Sequence, residues 1–287
     1  MKSESQQKIF SFELFPPKTE KGFENLKTNV KKLQELNPAF FSVTYGAGGS
    51  TQQRTFETVD WLGEKKITTA PHLSCIGSDR DEIIQILERY RAQGIRRLVA
   101  LRGDLPSGTG LGALGDLNHA NQLVELIRQA FDDYFHIEVA AYPEFHPQAT
   151  TPEQDLLHFK HKVEAGADSA ITQYFYNADA YFRFLDDCQR LQIDIPIVPG
   201  IMPITNFTQL ARFSDSCGAE IPRWIRKRLE GYGDDLESIR QYGAEIVTSL
   251  CERLMQGGAP GLHFYTMNQS APSLHVWQAL ALESAIN

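Results

Sequence analysis

Cysteine is scarce in this chain. The 287 residues hold four, Cys75, Cys188, Cys217 and Cys251, far apart and with no CxxC pair. That usage excludes a disulfide framework and a thiolate zinc site. Positive charge is in deficit too: 28 Lys and Arg against 36 Asp and Glu leave a formal charge of −8. A chain of that sign lacks the basic face that sequence-independent nucleic-acid binding needs. No apolar run approaches the ~20 residues of a membrane helix. The opening MKSESQQ lacks the apolar stretch of a secretory signal. No low-complexity linker, charge block or internal repeat divides the sequence. These absences point to a cytoplasmic protein with no nucleic-acid or membrane partner.

What is present has the balance of an ordinary globular protein, 42% hydrophobic and 22% charged. Eight short runs rich in β-branched and aromatic residues recur along the chain, at 8–15, 40–46, 67–75, 96–103, 135–143, 168–176, 195–201 and 261–267. Most are apolar almost throughout, as strands covered on both faces must be. Segments of helical spacing lie between them, including 81–92, 151–164, 234–256 and 271–285. At 151–164 the start is explicit: Thr151 can cap, Pro152 suits the first turn, and Gln154 stands at the capping-box position. Residues 205–256 leave room for extra helices between the seventh and eighth strands. Eight uninterrupted β–α units predict a (β/α)₈ (TIM) barrel, with 1–287 as a single catalytic domain; a barrel of about 250 residues uses most of this length. A doubly wound sheet shares the alternation, but the strand count favours the barrel.

Barrel active sites are built at the C-terminal ends of the strands. The polar residues at those ends are Glu13, Thr44, His72 with Ser74, Arg102 with Asp104, Tyr142 with Glu144, Gln173, and Tyr265 with Asn268. Glu13 sits among Phe12, Leu14 and Phe15 ahead of two prolines. Such surroundings raise a carboxyl's pKa and suit a general acid, although pairing with a Lys or Arg would explain a strand-end glutamate equally. Asp104 reads either as a turn or local Arg pair, or as a rim carboxylate facing a cofactor or a developing cation. The following loop contains Gly110-x-Gly112-x-x-Gly115, a formal dinucleotide fingerprint. It starts some eight residues beyond the strand, so it is read as a rim loop and not as a Rossmann site. His158 and His161 have no carboxylate at ligand spacing, which argues against a metal. With Lys160 and Lys162 they form a basic patch, either a solvated face or a phosphate contact. On pattern alone Phe213, Tyr174 and Phe175 read as core.

The strings SFELFPPK, FSVTYGAGGS, APHLSC, LVALRGD, VAAYPEFHP, DLLHFKHKVEAGAD, AITQYFY, VPGIMPITNF and HFYTMN follow one another in order. Together they closely resemble the bacterial single-domain methylenetetrahydrofolate reductases, from about Ile9 to Asn268. The resemblance implies a barrel that holds FAD non-covalently, is reduced by NADH or NADPH, and then passes the hydride to 5,10-methylenetetrahydrofolate in a ping-pong course. It also implies a homo-oligomer without the regulatory domain of eukaryotic members, supplying methyl groups for methionine.

By the same resemblance, Glu13 matches the general acid that opens the folate's five-membered ring. Asp104 matches the carboxylate beside the flavin that stabilises the iminium. Gln173, Gln209, Phe213 and Tyr265 match substrate contacts. Thr44, His72, Arg102, Gly103, Tyr142, His146, Asp155 and Lys162 match cofactor contacts, joined by Asp104 and by positions 119, 158 and 161. Those three depart from the family: His119 replaces Tyr, His158 replaces Asn and His161 replaces Arg. Gln269 stands where an Arg is common. Each change weakens a phosphate or carboxylate contact. Two other readings share the barrel: a flavin-dependent amine or proline dehydrogenase, and a catalytically silent folate-binding subunit. The first has no use for Glu13, and the second has no use for an acid at all.

Overall fold

A computed structural model describes residues 8–45, 49–103 and 115–282. Its strands are β1 (Ile9–Leu14), β2 (Phe40–Val43), β3 (Thr69–Ser74), β4 (Arg97–Leu101), β5 (His136–Ala141), β6 (Ser169–Thr172), β7 (Ile197–Val198), β8 (Gly200–Ile201) and β9 (Gly261–Tyr265). They pair in parallel in the order β7-β6-β5-β4-β3-β2-β1-β9-β8. β7 and β8 are two halves of one strand interrupted at Pro199, so nine segments occupy the eight positions of a barrel.

The interruption has a local cause. Proline offers no N–H to a ladder. The Pro199 carbonyl still accepts the His263 N–H at 3.0 Å, which joins the broken strand to β9. The Gly200 N–H turns to the Thr172 hydroxyl at 2.9 Å, and the Thr172 carbonyl accepts the Tyr265 hydroxyl at 2.7 Å. Only glycine fits at 200: a Cβ there would lie 2.2 Å from the Thr172 carbonyl oxygen and 2.5 Å from the Tyr265 ring.

Helices follow the strands: α1 (Glu20–Gln34), α2 (Gly49–Glu64), α3 (Arg80–Ala92), α4 (Ala120–Phe131), α5 (Pro152–Glu164), α6 (Ala178–Arg190), α7 (Phe207–Cys217), α8 (Arg223–Tyr232), α9 (Leu236–Gln256) and α10 (Ser270–Ala279). The expected extra helices are α7 and α8, which precede the crossover helix α9. α5 begins as its sequence predicts, with Pro152 in the first turn and the Thr151 hydroxyl accepting the Gln154 N–H at 3.2 Å. None of the described helices is long and apolar enough to cross a membrane.

Alternation along each strand separates two cores. Phe12, Phe41, Leu73, Ala100, Val139 and Phe264 point outward and join the helices in one large cluster. Phe40, Ala70, Val99 and Ile171 point inward and fill the barrel. Both faces are buried, which is why the strands read as unbroken apolar runs. The inward set also carries polar side chains. Glu138 is buried and accepts from Arg97 and, at 2.6 Å, from the Ser169 hydroxyl. Burial works to raise the Glu138 pKa, but its bonds to His136 and Ser169 and the Arg97 charge outweigh it and hold the group below the ordinary carboxylate value. The Arg97 guanidinium lies 4.8 Å from the Phe40 ring centre. An ion pair with its lone pairs bonded thus sits near the base of the barrel, where β4 and β5 begin.

Candidate active site at the mouth of the barrel

Glu13 stands at the inward parity of β1, one residue before the strand ends. The backbone around it is clamped to the β9–α10 turn. The Thr266 hydroxyl donates to the Glu13 carbonyl at 2.6 Å, and the Asn268 carboxamide exchanges two bonds with Phe15, at 2.8 and 3.0 Å. Met267 and Asn268 take positive φ, 49° and 56°, to make that turn.

Among the described residues no Lys or Arg pairs with the Glu13 carboxyl. It faces His72 of β3 instead, with Oε2 3.6 Å from Nε2. Burial pushes the Glu13 pKa up to about 8. Burial, with a further contribution from His263, pushes His72 down to about 3. At neutral pH the carboxyl therefore keeps its proton and the imidazole is uncharged. The contact is polar but not an ion pair.

Directly below this pair the inward-facing residues of β1, β2 and β9 are polar and uncharged. His263 meets the Ser11 hydroxyl at 2.7 Å through Nδ1 and the Ser42 hydroxyl at 3.5 Å through Nε2. Burial pushes its pKa down to about 4. Tyr265 packs edge-on against the His263 ring at 5.3 Å. Its phenol is pushed well above its ordinary value, by burial first and then by Glu13. Among the described residues, no Lys or Arg lies within ion-pair distance of Glu13 to draw its proton away.

The side of the mouth formed by β2 to β6 collects the expected cofactor residues. The Thr44 N–H bonds the Leu14 carbonyl at 2.9 Å. Gly103 has φ +88°, and a Cβ there would meet the Ser74 hydroxyl oxygen at 1.8 Å. That hydroxyl donates to the Arg102 carbonyl at 2.8 Å, while the Arg102 side chain bonds Gln148. Asp104 lies outside the described residues, as do Gly110 and Gly112 of the rim loop. The Tyr142 and His146 rings meet edge to face at 4.6 Å. The His146 N–H is held by the Asp155 carboxylate at 2.9 Å. Lys162 reaches the Ala140 carbonyl at 2.5 Å. Its ammonium is pushed down to about 8 by burial, against the opposing pull of Asp155.

Two expectations need correction. Lys162 does not join a basic patch with His158 and His161, because its side chain turns under α5 toward β5, while both histidines are exposed and Lys160 pairs with Glu164 at 3.1 Å. Phe213, read from pattern as core, is 37% exposed on α7, since the buried stripe of that helix runs through Leu210 and Ser214. Tyr174 and Phe175 are buried as expected. His119 sits exposed at the N-cap of α4, its N–H taken by the Gln122 carboxamide at 3.1 Å. His161 faces a groove of about 480 Å³ between α4 and α5, away from the barrel axis.

The expected substrate contacts ring the opposite side. Gln173 follows β6 and accepts the Tyr174 N–H at 3.0 Å. Gln209 and Phe213 stand one turn apart on the exposed side of α7. Phe15 and Phe145 are also exposed, at 40% and 44%. Glu144, whose carboxyl burial pushes up to about 6, accepts the Glu220 N–H at 2.7 Å and ties the β5–α5 loop to the segment after α7. Ser11, Ser42, His263 and Thr266 escaped the strand-end reading. Their signal was the inward parity: each shares it with, or bonds directly to, the residues around Glu13.

A protonated carboxyl at the barrel mouth, with no described Lys or Arg paired to it and aromatic rings nearby, can deliver a proton to a bound basic nitrogen. Comparison with known proteins gives this arrangement a setting. The family model for methylenetetrahydrofolate reductase matches residues 1–281. The 5,10-methylenetetrahydrofolate reductase of Salmonella typhimurium is 40% identical over 277 residues, covering 96% of this chain and 92% of that one. Methylenetetrahydrofolate reductase (NADH) 1 of Arabidopsis thaliana is 39% identical over 292 residues, covering 98% of this chain but 49% of the plant protein. Among solved structures, an uncharacterized Clostridium thermocellum protein that binds two copies of 5-methyl-5,6,7,8-tetrahydrofolic acid shares the fold. Its TM-score is 0.66 at 18% identity, covering 96% of this chain and 94% of that one.

Proposed function

The chain belongs to the methylenetetrahydrofolate reductase family, and from that premise we propose that it reduces 5,10-methylenetetrahydrofolate to 5-methyltetrahydrofolate, drawing the hydride from a reduced nicotinamide nucleotide through non-covalent FAD. The observation that carries this reading is Glu13, a carboxyl whose burial raises its pKa to about 8 at the mouth of the barrel. The overall change adds one hydride and one proton to the folate, and a carboxyl that is protonated near pH 7 is the group able to supply the second.

The residues present fit a flavin. The buried Lys162 ammonium and the Arg102 guanidinium supply positive charge on one side of the mouth, as the diphosphate of such a cofactor needs. Thr44, His72, Arg102, Gly103, Tyr142, His146, Asp155 and Lys162 would hold it, and Asp104 follows directly from Gly103. The chemistry such a group supplies is hydride acceptance from a nicotinamide and hydride donation to an iminium carbon. The exposed imidazoles of His119 and His158 would contact the outer end of the cofactor more weakly than Tyr and Asn would, and His161, turned to the groove between α4 and α5, would leave out the contact an Arg would make. The name of the Arabidopsis relative specifies NADH, which favours NADH as the donor here.

The protein's own groups then act on the folate. Gln173, Gln209, Phe213 and Tyr265 orient the pterin over the mouth. Glu13 gives its proton to N10, the five-membered ring opens to the N5 iminium, and the methylene carbon becomes able to accept hydride. The Asp104 carboxylate offsets the positive charge that develops. The product carries a methyl group for methionine synthesis. Anaerobic absorbance tests the scheme. NADH should bleach the flavin and methylenetetrahydrofolate should restore it. In Glu13→Gln the bleaching should persist while recovery slows by about 10²–10⁴-fold. A protein that neither contains nor takes up FAD would overturn the reading.

A further inference from the structure

We propose that His72 is the positioning residue for the Glu13 acid, its Nε2 accepting the carboxyl O–H so that the proton is retained and aimed from β3 across the mouth. The inference rests on the reading of Glu13 as the proton donor, and it adds a role for a histidine that the resemblance assigns only to the cofactor.

Three observations converge on it. His72 is buried, at 7% exposure, and its Nε2 has no hydrogen-bond partner among the described residues. A buried imidazole nitrogen left unbonded is costly, so a partner is expected. The nearest carboxyl oxygen, Glu13 Oε2, lies 3.6 Å away, a few tenths of an ångström beyond a hydrogen bond. The chemistry also matches: a neutral imidazole presents a lone pair, and a carboxylic acid presents one proton.

Among the described residues that face the pair, none carries a competing charge. From β9 the pair is faced by His263 and Tyr265, and Tyr142 acts on Tyr265 from beyond β5. β2 brings Ser42 into register with Glu13. His263 is neutral near pH 7, and the Tyr265 phenol keeps its proton. A hydrogen bond to the neutral form of an acid opposes its ionisation, as burial does, so the two effects add. His72 thereby keeps the donor loaded without carrying charge itself.

The test is made on the FAD-loaded protein without folate, so it is separate from any failure of folate reduction. Protein labelled with ¹³C at the glutamate carboxyl carbon is titrated by NMR, with the Glu13 resonance identified by its loss in Glu13→Gln. The wild-type midpoint should lie near 8. In His72→Gln an amide N–H can turn to the ionised carboxylate, and the midpoint should fall by at least about one pH unit, a tenfold change in the ionised-to-protonated ratio. An unchanged midpoint in a folded His72→Gln protein overturns the proposal. A second measurement needs no variant at His72: the ¹⁵N signal of its Nε2 should be of the unprotonated, pyridine type and should shift as Glu13 titrates. A pyrrole-type Nε2 bearing its own proton overturns the proposal whether or not the variant folds.

Discussion

A single carboxyl decides the chemistry at the residue scale, and its environment makes it expensive to ionise. Its pKa rises from 4.5 in the open to about 8 in the folded protein. The folded state therefore binds a proton that the unfolded state releases between those values, and stability falls as pH rises through that window. Glu13→Gln removes the ionisable group. Thermal unfolding should show the variant more stable than wild type at pH 8, by a few kcal/mol at most, with the difference closing toward pH 4.5. A constant offset at all pH values would mean that the carboxyl is not held protonated by folding. Much of this was legible in the sequence: Phe12, Leu14 and Phe15 around an acid announce an apolar setting. The choice of partner was not. The linear string leaves a lysine or arginine as open as His72, and only the pairing of three parallel strands brings His72 opposite. Phe213 shows the opposite failure, an aromatic whose type suggests core while its position on α7 faces solvent.

At the scale of elements, the mouth is shaped by the broken seventh strand. Eight strand-like runs were readable because their apolar character is continuous, but the division of one of them was not. It depends on Pro199 lacking an N–H and on Thr172 lying beside it to take up the bonds of Gly200 and Tyr265. Gly200→Ala should cost about 2–3 kcal/mol in chemical denaturation, since the new Cβ meets the backbone of β6 and the ring of Tyr265. The same change displaces Tyr265 and should raise the KM for the folate. α5 offers a second test. Asp155 holds the His146 N–H and opposes the burial of the Lys162 charge. Asp155→Ala should release the β5–α5 loop and weaken FAD retention about tenfold, read by flavin loss on dilution. Unaltered retention would detach this helix from the cofactor. The caps of α5 were written in Thr151 and Pro152, whereas the inward turn of Lys162 was hidden, because helical spacing gives a face and not the depth to which a long side chain reaches.

For the whole molecule, the barrel divides its polar groups between two ends with different duties. Near the base, Glu138 is ionised and paired with Arg97; at the mouth, Glu13 is protonated and paired with no Lys or Arg among the described residues. Removing Arg97 leaves a buried carboxylate without its partner, so Arg97→Met should destabilise the fold by about 3–5 kcal/mol while leaving the pH dependence of folate reduction in place. The alternation that made the fold readable also concealed this base, since Arg97, His136 and Glu138 fall at the start of strands, where a search of strand ends does not look. The central claim is that the Glu13 proton is spent in the folate step, and the most direct test is the rate at which methylenetetrahydrofolate reoxidises the reduced flavin, followed by anaerobic stopped flow across pH. The rate should be level up to about pH 8, fall about tenfold per unit above it as one proton is lost, and be nearly abolished throughout in Glu13→Gln. Reoxidation of the Glu13→Gln flavin at the wild-type rate would contradict the account.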